Sequence, residues 1–271
     1  MSEMHKYPRT AHLRGSRFQN GDHDLEAVPF EELRGKHLVI EEKMDGANAG
    51  ISFSESGELL LQSRGHYLRG GPRERHFAPL KQWAWARQTE LFYALQSRYV
   101  MFGEWMYAKH TVYYDALPHY FMEFDILDTE TNTFLSTPER QKLLAGVPVV
   151  PVKVLTSGPF DRIEQLETLV TRSNFITDER LQHFLSTCVS VGILGGAFGN
   201  REIQEALATG DWNPNMEGLY VKWEEDGIVK GRYKFVRDTF TNAILDQDEH
   251  WLNRPIVPNK LVDGAYEAMF T

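Results

Sequence analysis

Apolar residues in this chain come in short runs broken by turn residues, a rhythm of strands interrupted by a few helical stretches. Leu38-Val39-Ile40 reads as the buried part of a strand over residues 38–43. Ser54-Glu55-Ser56-Gly57 separates Ile51-Ser52-Phe53 from Leu59-Leu60-Leu61-Gln62-Ser63-Arg64, which predicts a hairpin. Leu80, Trp83, Ala84, Leu91 and Leu95 recur at helical spacing within residues 79–96. Residues 99–102 and 120–127 read as two more strands. Ser136-Thr137-Pro138-Glu139 has capping-box spacing with an early proline, predicting a helix that ends at Gly146. Residues 147–155 are strand-like, and residues 160–209 read as mostly helical, with Gly192, Gly195, Gly196 and Gly199 in a loop. That loop lacks the Gly-Lys-Ser/Thr ending of a phosphate loop. Asp226-Gly227 lies between two alternating runs, a hairpin signal that puts Arg232 and Lys234 on one strand face.

This is an α+β pattern, and 271 residues suit one large domain, or a main domain with a helical insert. At 42% hydrophobic and 12% aromatic, the chain can fill a substantial core. It holds no apolar run near the ~20 residues of a membrane helix. The opening residues lack a signal-peptide pattern. Cys188 is alone, which excludes an internal disulfide and a cysteine-rich zinc site and suits a reducing compartment. The expectation is a cytoplasmic protein without a membrane.

Charge changes this picture. The net charge of −9 argues against nucleic acid as a partner, yet three islands are locally basic. Residues 5–17 hold Lys6, Arg9, Arg14 and Arg17; residues 64–75 hold Arg64, Arg69, Arg73 and Arg75; residues 229–237 hold Lys230, Arg232, Lys234 and Arg237. Such islands read as phosphate contacts, or else as solvated charged faces.

The candidate chemistry begins at Lys43. A lysine at a strand end, two residues before Asp45 and next to a turn glycine, Gly46, is a candidate amine nucleophile, although Lys-x-Asp-Gly also makes ordinary turns. Ordered segments follow it: Ser63-Arg64-Gly65, Phe102-Gly103-Glu104-Trp105, Phe121-Met122-Glu123-Phe124-Asp125, Glu217-Gly218-Leu219-Tyr220-Val221 and Arg232-Tyr233-Lys234. Over roughly residues 38–237 the chain resembles the covalent nucleotidyltransferases, specifically the ATP-dependent RNA ligases of phage and nick-sealing type. Asn48, two beyond the motif glycine, is similar to the RNA ligases, whereas DNA ligases and capping guanylyltransferases usually carry arginine there.

The resemblance implies a nucleotidyltransferase (ATP-grasp-like) domain of antiparallel sheets flanked by helices. Residues 1–37 would be a basic arm able to fold over the active site, and residues 156–215 a mostly helical insert able to grip a duplex. No room is left for a C-terminal oligonucleotide-binding (OB) fold. It also implies catalysis by Lys43, Lys234 and Arg232, with Lys230 as the alternative to Arg232, which stands where relatives have lysine. Nucleotide contacts would come from Glu42, Asp45, Asn48, Arg64, Glu104, Phe121 and Lys222, with Phe121 stacking on the adenine and Glu217 meeting Mg²⁺ or Mn²⁺. Cationic Lys234 and Arg232 would lower the Lys43 pKa. The implied partners are ATP, RNA with 5′-phosphate and 3′-hydroxyl ends, and end-healing enzymes. Read from the residues alone, Phe121 also suits a core, Asp45 a turn, and Glu104 and Glu217 a strand end; His110 and His119 read as structural or surface residues. A DNA ligase, a guanylyltransferase and an inactive RNA- or nucleotide-binding module are the competing expectations.

Overall fold

The computed structural model describes residues 4–18, 27–195, 199–240 and 255–270. Its strands, in chain order, are β1 (Ala11–Leu13), β2 (Ala27–Val28), β3 (Leu38–Lys43), β4 (Ala47–Phe53), β5 (Leu59–Ser63), β6 (Tyr99–Trp105), β7 (Phe121–Asp128), β8 (Thr133–Leu135), β9 (Val150–Pro151), β10 (Val154–Gly158), β11 (Gly218–Glu225) and β12 (Ile228–Val236). The helices are α1 (Ala78–Ala86), α2 (Gln88–Leu95), α3 (Thr137–Leu143), α4 (Ile163–Glu167), α5 (Arg180–Ser190), α6 (Asn200–Leu207) and α7 (Ala265–Phe270). The main path of strands runs β10-β3-β11-β12-β8-β7-β6-β4-β5, and every neighbouring pair along it is antiparallel. β1 joins β12 in parallel, with His12 opposite Lys234.

The β12–β8 pairing divides this path into two halves. β10, β3, β11 and β12 form one; β8, β7, β6, β4 and β5 form the other. The chain passes from the first half to the second at Met44-Asp45-Gly46, immediately after the candidate nucleophile. Period-two alternation explains how β3 serves two masters. Leu38 and Ile40 pack into a cluster with Leu13, Leu33, Leu166, Leu219 and Val221. Val39, Glu41 and Lys43 face the other way.

The expected hairpins form. β4 pairs with β5 from Ala49–Ser63 to Phe53–Leu59, and β11 pairs with β12 across a turn with positive φ at Asp226 and Gly227. Such dihedrals make the right-handed twist of a two-residue hairpin loop. The stretch expected as one helix over 79–96 is two, α1 and α2, because Arg87 leaves helical geometry between them. Its apolar set does face inward: Leu80, Trp83, Ala84, Leu91 and Leu95 are fully buried. Among its described residues, the segment expected to be mostly helical contains three separate helices, α4 to α6. Of its glycine cluster, Gly196 lies outside the described residues. No described helix is long and apolar enough to cross a membrane.

A buried ionic network binds the halves beneath the site. Arg140 on α3 contacts Glu41 of β3 and Glu123 of β7, each at 2.7 Å. Lys222 of β11 contacts Glu41 at 2.8 Å and Asp125 of β7 at 3.2 Å, with both partners fully buried. Paired charges are the form in which ions survive such burial.

Candidate active site

Lys43 ends β3 with its side chain 21% exposed and its Nζ 2.7 Å from Glu217 Oε1. The contact follows from register, since Lys43 pairs with Gly218, the residue after Glu217. Gly46 then lets the chain pass close under β6. A Cβ there would lie 2.7 Å from Met106 Sδ and 2.8 Å from the Trp105 carbonyl oxygen. Its amide donates to Glu104 Oε1 at 3.2 Å. Asn48 sits opposite Glu104 in the β4–β6 ladder. Among the described residues the buried Asn48 Oδ1 atom finds no hydrogen-bond partner, a cost that a bound ligand would remove.

These residues line one cavity of about 610 Å³. Lys43, Asp45, Asn48, Arg64, Glu104, Glu217 and Lys234 all contribute to its walls, from both halves of the sheet. The volume lies within the range of small-molecule sites.

Asp45 organises the site. Its Oδ2 accepts the amides of Thr111 and Val112, both at 2.7 Å, and its own amide donates to the Tyr114 hydroxyl at 3.0 Å. Burial raises the Asp45 pKa against these bonds and against Lys43. Glu104 is pushed to about 8 by burial, with Glu217 and Asp45 adding to the rise and Lys43 opposing it. At Lys43 burial favours the neutral amine, but Glu217, Glu104 and Asp45 outweigh it and raise the pKa. The expected lowering by nearby cations is thus reversed: the carboxylates hold an ammonium here.

Four expected site residues have other positions. Phe121 lies in the core, stacked on Trp83 with centroids 5.5 Å apart. It fills the space where a Cβ on Gly103 would stand, 2.6 Å from its ring. Phe124 stands on the cavity wall instead, with Phe77, Tyr7 and Tyr220 as further rings there. An odd separation already turns Phe121 and Phe124 to opposite faces of a strand, and the ladder also bulges here: Phe102 pairs with Asp125 and Gly103 with Glu123, which leaves Phe124 as the extra residue. Lys222 does not line the cavity and is spent on Glu41, Asp125 and the Phe124 carbonyl. Arg232 does not line it either; its guanidinium lies 3.8 Å above the Phe134 ring, with Tyr7 beside it. Lys230 pairs instead with Asp226 across the hairpin turn at 3.6 Å. Glu42 reaches the cavity wall, but its carboxylate accepts from Ser173 Oγ at 2.5 Å and from Asn174 Nδ2 at 3.0 Å. It ties the 156–215 segment to the residue beside Lys43.

The model of the RNA ligase family matches residues 36–236, from just before β3 to the end of β12. The chain belongs to this family. Among solved structures, this RNA ligase family member is similar to a Naegleria gruberi RNA ligase. A lysine-to-alanine variant of that protein with ATP and Mn aligns at 20% identity and a TM-score of 0.44, covering 76% of this chain and 51% of that one. A glutamate-to-alanine variant with AMP and Mn aligns at 19% and 0.47, covering 86% and 56%. This chain therefore spans about half the length of the solved structures it matches. No curated protein sequence matches it.

The family member's cavity also contains residues that motif reading passed over. Tyr7, Pro8 and Thr10 of the N-terminal arm line it. The Tyr7 hydroxyl donates to Asp125 at 2.5 Å and meets the Tyr220 hydroxyl, while its ring packs edge-on to Phe124 at 5.2 Å. His76 and His110 line the cavity as well. Burial, then the His110 ring nearby, depresses His76 to about 4; burial and Lys109 do the same for His110. Neither histidine stands in a ligand-like spacing, so the sequence carried no signal for them.

Proposed function

We propose that the chain is an ATP-dependent RNA ligase that joins 5′-phosphate to 3′-hydroxyl RNA ends. The observation that carries this reading is the single cavity that gathers Lys43, Glu217, Glu104, Asn48, Arg64 and Lys234 from strands far apart in sequence. An amine, an acid pair and two cations around one volume suit phosphoryl chemistry, in which positioning and charge stabilisation do most of the work.

Lys43 Nζ, once it has lost its proton, attacks the α-phosphorus of ATP; the N–P bond forms and pyrophosphate leaves. The AMP passes from Lys43 to the RNA 5′-phosphate, freeing the amine. A 3′-hydroxyl then bonds to that phosphorus, and AMP leaves with the electron pair of the broken P–O bond. Arg64 and Lys234 bind the phosphates, Phe124 offers its face to the adenine, and Glu104 receives a ribose hydroxyl. Asn48, with its unfilled Oδ1, fits a polar part of the nucleotide.

A divalent cation also fits. Among the described residues no three acidic, histidine or cysteine side chains form a closed cage. Glu217 beside the cavity suits Mg²⁺ or Mn²⁺, which take one or two carboxylates and complete their shell with phosphates and water. The cation would neutralise phosphate charge and the carboxylates that keep Lys43 protonated. RNA with other termini would first need end-healing enzymes, and the single cysteine suits the reducing cytoplasm. The 156–215 segment carries four basic residues against eight acidic ones, the wrong sign for gripping phosphates. The grip on RNA belongs instead to the Arg64 side of the cavity.

Incubation with α-labelled ATP and Mg²⁺ or Mn²⁺ tests the reading. Label should remain on the denatured protein and vanish in Lys43→Ala. Label from GTP alone would make it a guanylyltransferase, and none from either would end the enzyme reading.

A further inference from the structure

The turn after Lys43 is held by chain that the proposed reaction leaves unused. Asp45 meets the amides of Thr111 and Val112 and the hydroxyl of Tyr114, all of which belong to the connection between β6 and β7. Residues 106–120 form no helix and no strand, only isolated bridges. Ala108 bridges to Pro258 and Leu117 to Leu261, in a C-terminal segment beyond the residues that match the family model. A connection without its own ladder takes its shape from such a support.

Asn259 sits between these two bridges and grips both arms of the connection. Its amide donates to the Tyr107 carbonyl at 2.8 Å, and its carbonyl accepts from the Tyr120 hydroxyl at 2.9 Å. Its side chain adds two more bonds: Nδ2 donates to the Met106 carbonyl at 2.7 Å, and Oδ1 accepts the Tyr114 amide at 2.9 Å. One orientation of the side-chain amide serves a carbonyl and an N–H together, so the partners fix it. Asn259 is buried, which leaves no ready water to replace either bond. Both partners lead on to the nucleophile. Met106 packs under Gly46, where a Cβ would lie 2.7 Å from its Sδ. The Tyr114 hydroxyl accepts the Asp45 amide at 3.0 Å. Neither Asn259 nor Tyr114 lines the cavity.

We infer that Asn259 is a positioning residue for the first step: through Tyr114 and Met106 it fixes the Met44-Asp45-Gly46 turn, and with it the line along which Lys43 Nζ attacks. The inference rests on the RNA ligase reading. β11 pairs with β3 as far as Lys43, and strand pairing resumes only at Ala47, so the turn between depends on side-chain bonds. Misplacing a reacting group by about 1 Å costs on the order of 100-fold in rate. Binding of ATP is spared, because its contacts come from other residues of the wall. The last step is spared too, since a 3′-hydroxyl attacks there and Lys43 carries nothing.

Two variants test this. Asn259→Leu, similar in size, removes both side-chain bonds, and Tyr114→Phe removes only the hydroxyl that the Asp45 amide meets. Each preparation is read twice: single-turnover labelling by α-labelled ATP over a range of concentrations, and sealing of a pre-adenylylated RNA donor without ATP. In both variants labelling at saturating ATP should slow about tenfold or more, while the half-saturating ATP concentration and the sealing rate stay within about twofold of wild type. A smaller folded fraction would lower both rates together and leave their ratio unchanged. If Asn259→Leu does not fold, Tyr114→Phe decides. A labelling-to-sealing ratio that keeps its wild-type value, or a loss confined to the half-saturating concentration, overturns the inference and leaves the ligase reading standing. A wild-type chain that takes no label overturns that reading instead.

Discussion

Phe121 and Phe124 stand three positions apart on β7, a separation that turns one ring into the core and the other to the cavity wall. Phe121→Ala should empty core volume beside Trp83 and cost about 3–5 kcal/mol in urea unfolding. Phe124→Ala, at a half-buried ring, should cost less stability than Phe121→Ala and raise the KM for ATP in the labelling reaction about tenfold or more, as expected for a lost stacking partner. Lys43, Glu104 and Glu217 were legible because each marks a strand end whose register follows from local pattern. That Phe124 and not Phe121 reaches the wall was not legible, because alternation tells which residues share a face but not which face meets the core. Lys222 and Arg232 were misjudged for a different reason. What a cation on a strand face meets is decided by residues brought from elsewhere, here Glu41, Asp125 and Phe134. His119 gives a pH expectation at the same scale. It is held neutral against Trp83, its pKa pushed down to about 4 by burial. The unfolded chain takes up this proton near 6.5 and the folded chain only near 4, so stability falls as pH drops through that window. Thermal melts at pH 7 and pH 5 should show His119→Asn losing about 2 kcal/mol less than the wild type.

At the scale of elements, most strands and both hairpins could be read from alternation and turn chemistry. The start of α3 shows where that reading stops. Ser136 occupies the cap position but makes no capping bond. The Thr137 amide and hydroxyl instead donate to Glu224 Oε1 at 2.9 and 2.7 Å, an acceptor that arrives from β11. Glu224→Ala should therefore cost about 1–2 kcal/mol of stability, while Ser136→Ala stays within about 0.5 kcal/mol. Chemical denaturation of the two variants side by side checks the assignment. The N-terminal arm was legible as basic and close to the site, but its parallel pairing with β12 was not. Parallel partners leave no turn between them in the sequence.

For the whole molecule, the ionic network around Arg140 joins α3, β3 and β7, and Lys222 extends it to β11. Arg140→Met should strand Glu41 and Glu123 in the interior and lower stability by about 3–5 kcal/mol. Equilibrium unfolding followed by tryptophan fluorescence reads this directly. The order of strands across the two halves escaped the sequence, since charged partners such as Glu41 and Arg140 lie 99 positions apart.

Cys188 is the chain's single cysteine, and it is buried on α5 beside Tyr113 and Phe184. Tyr113 directly follows the amides that hold Asp45. A thiol reagent can thus mark only one atom in the protein, and only when this corner opens. Its rate of reaction is a built-in clock for local breathing next to the nucleophile loop. Comparing that rate with and without nucleotide would time how tightly a filled cavity fastens the segment beside it.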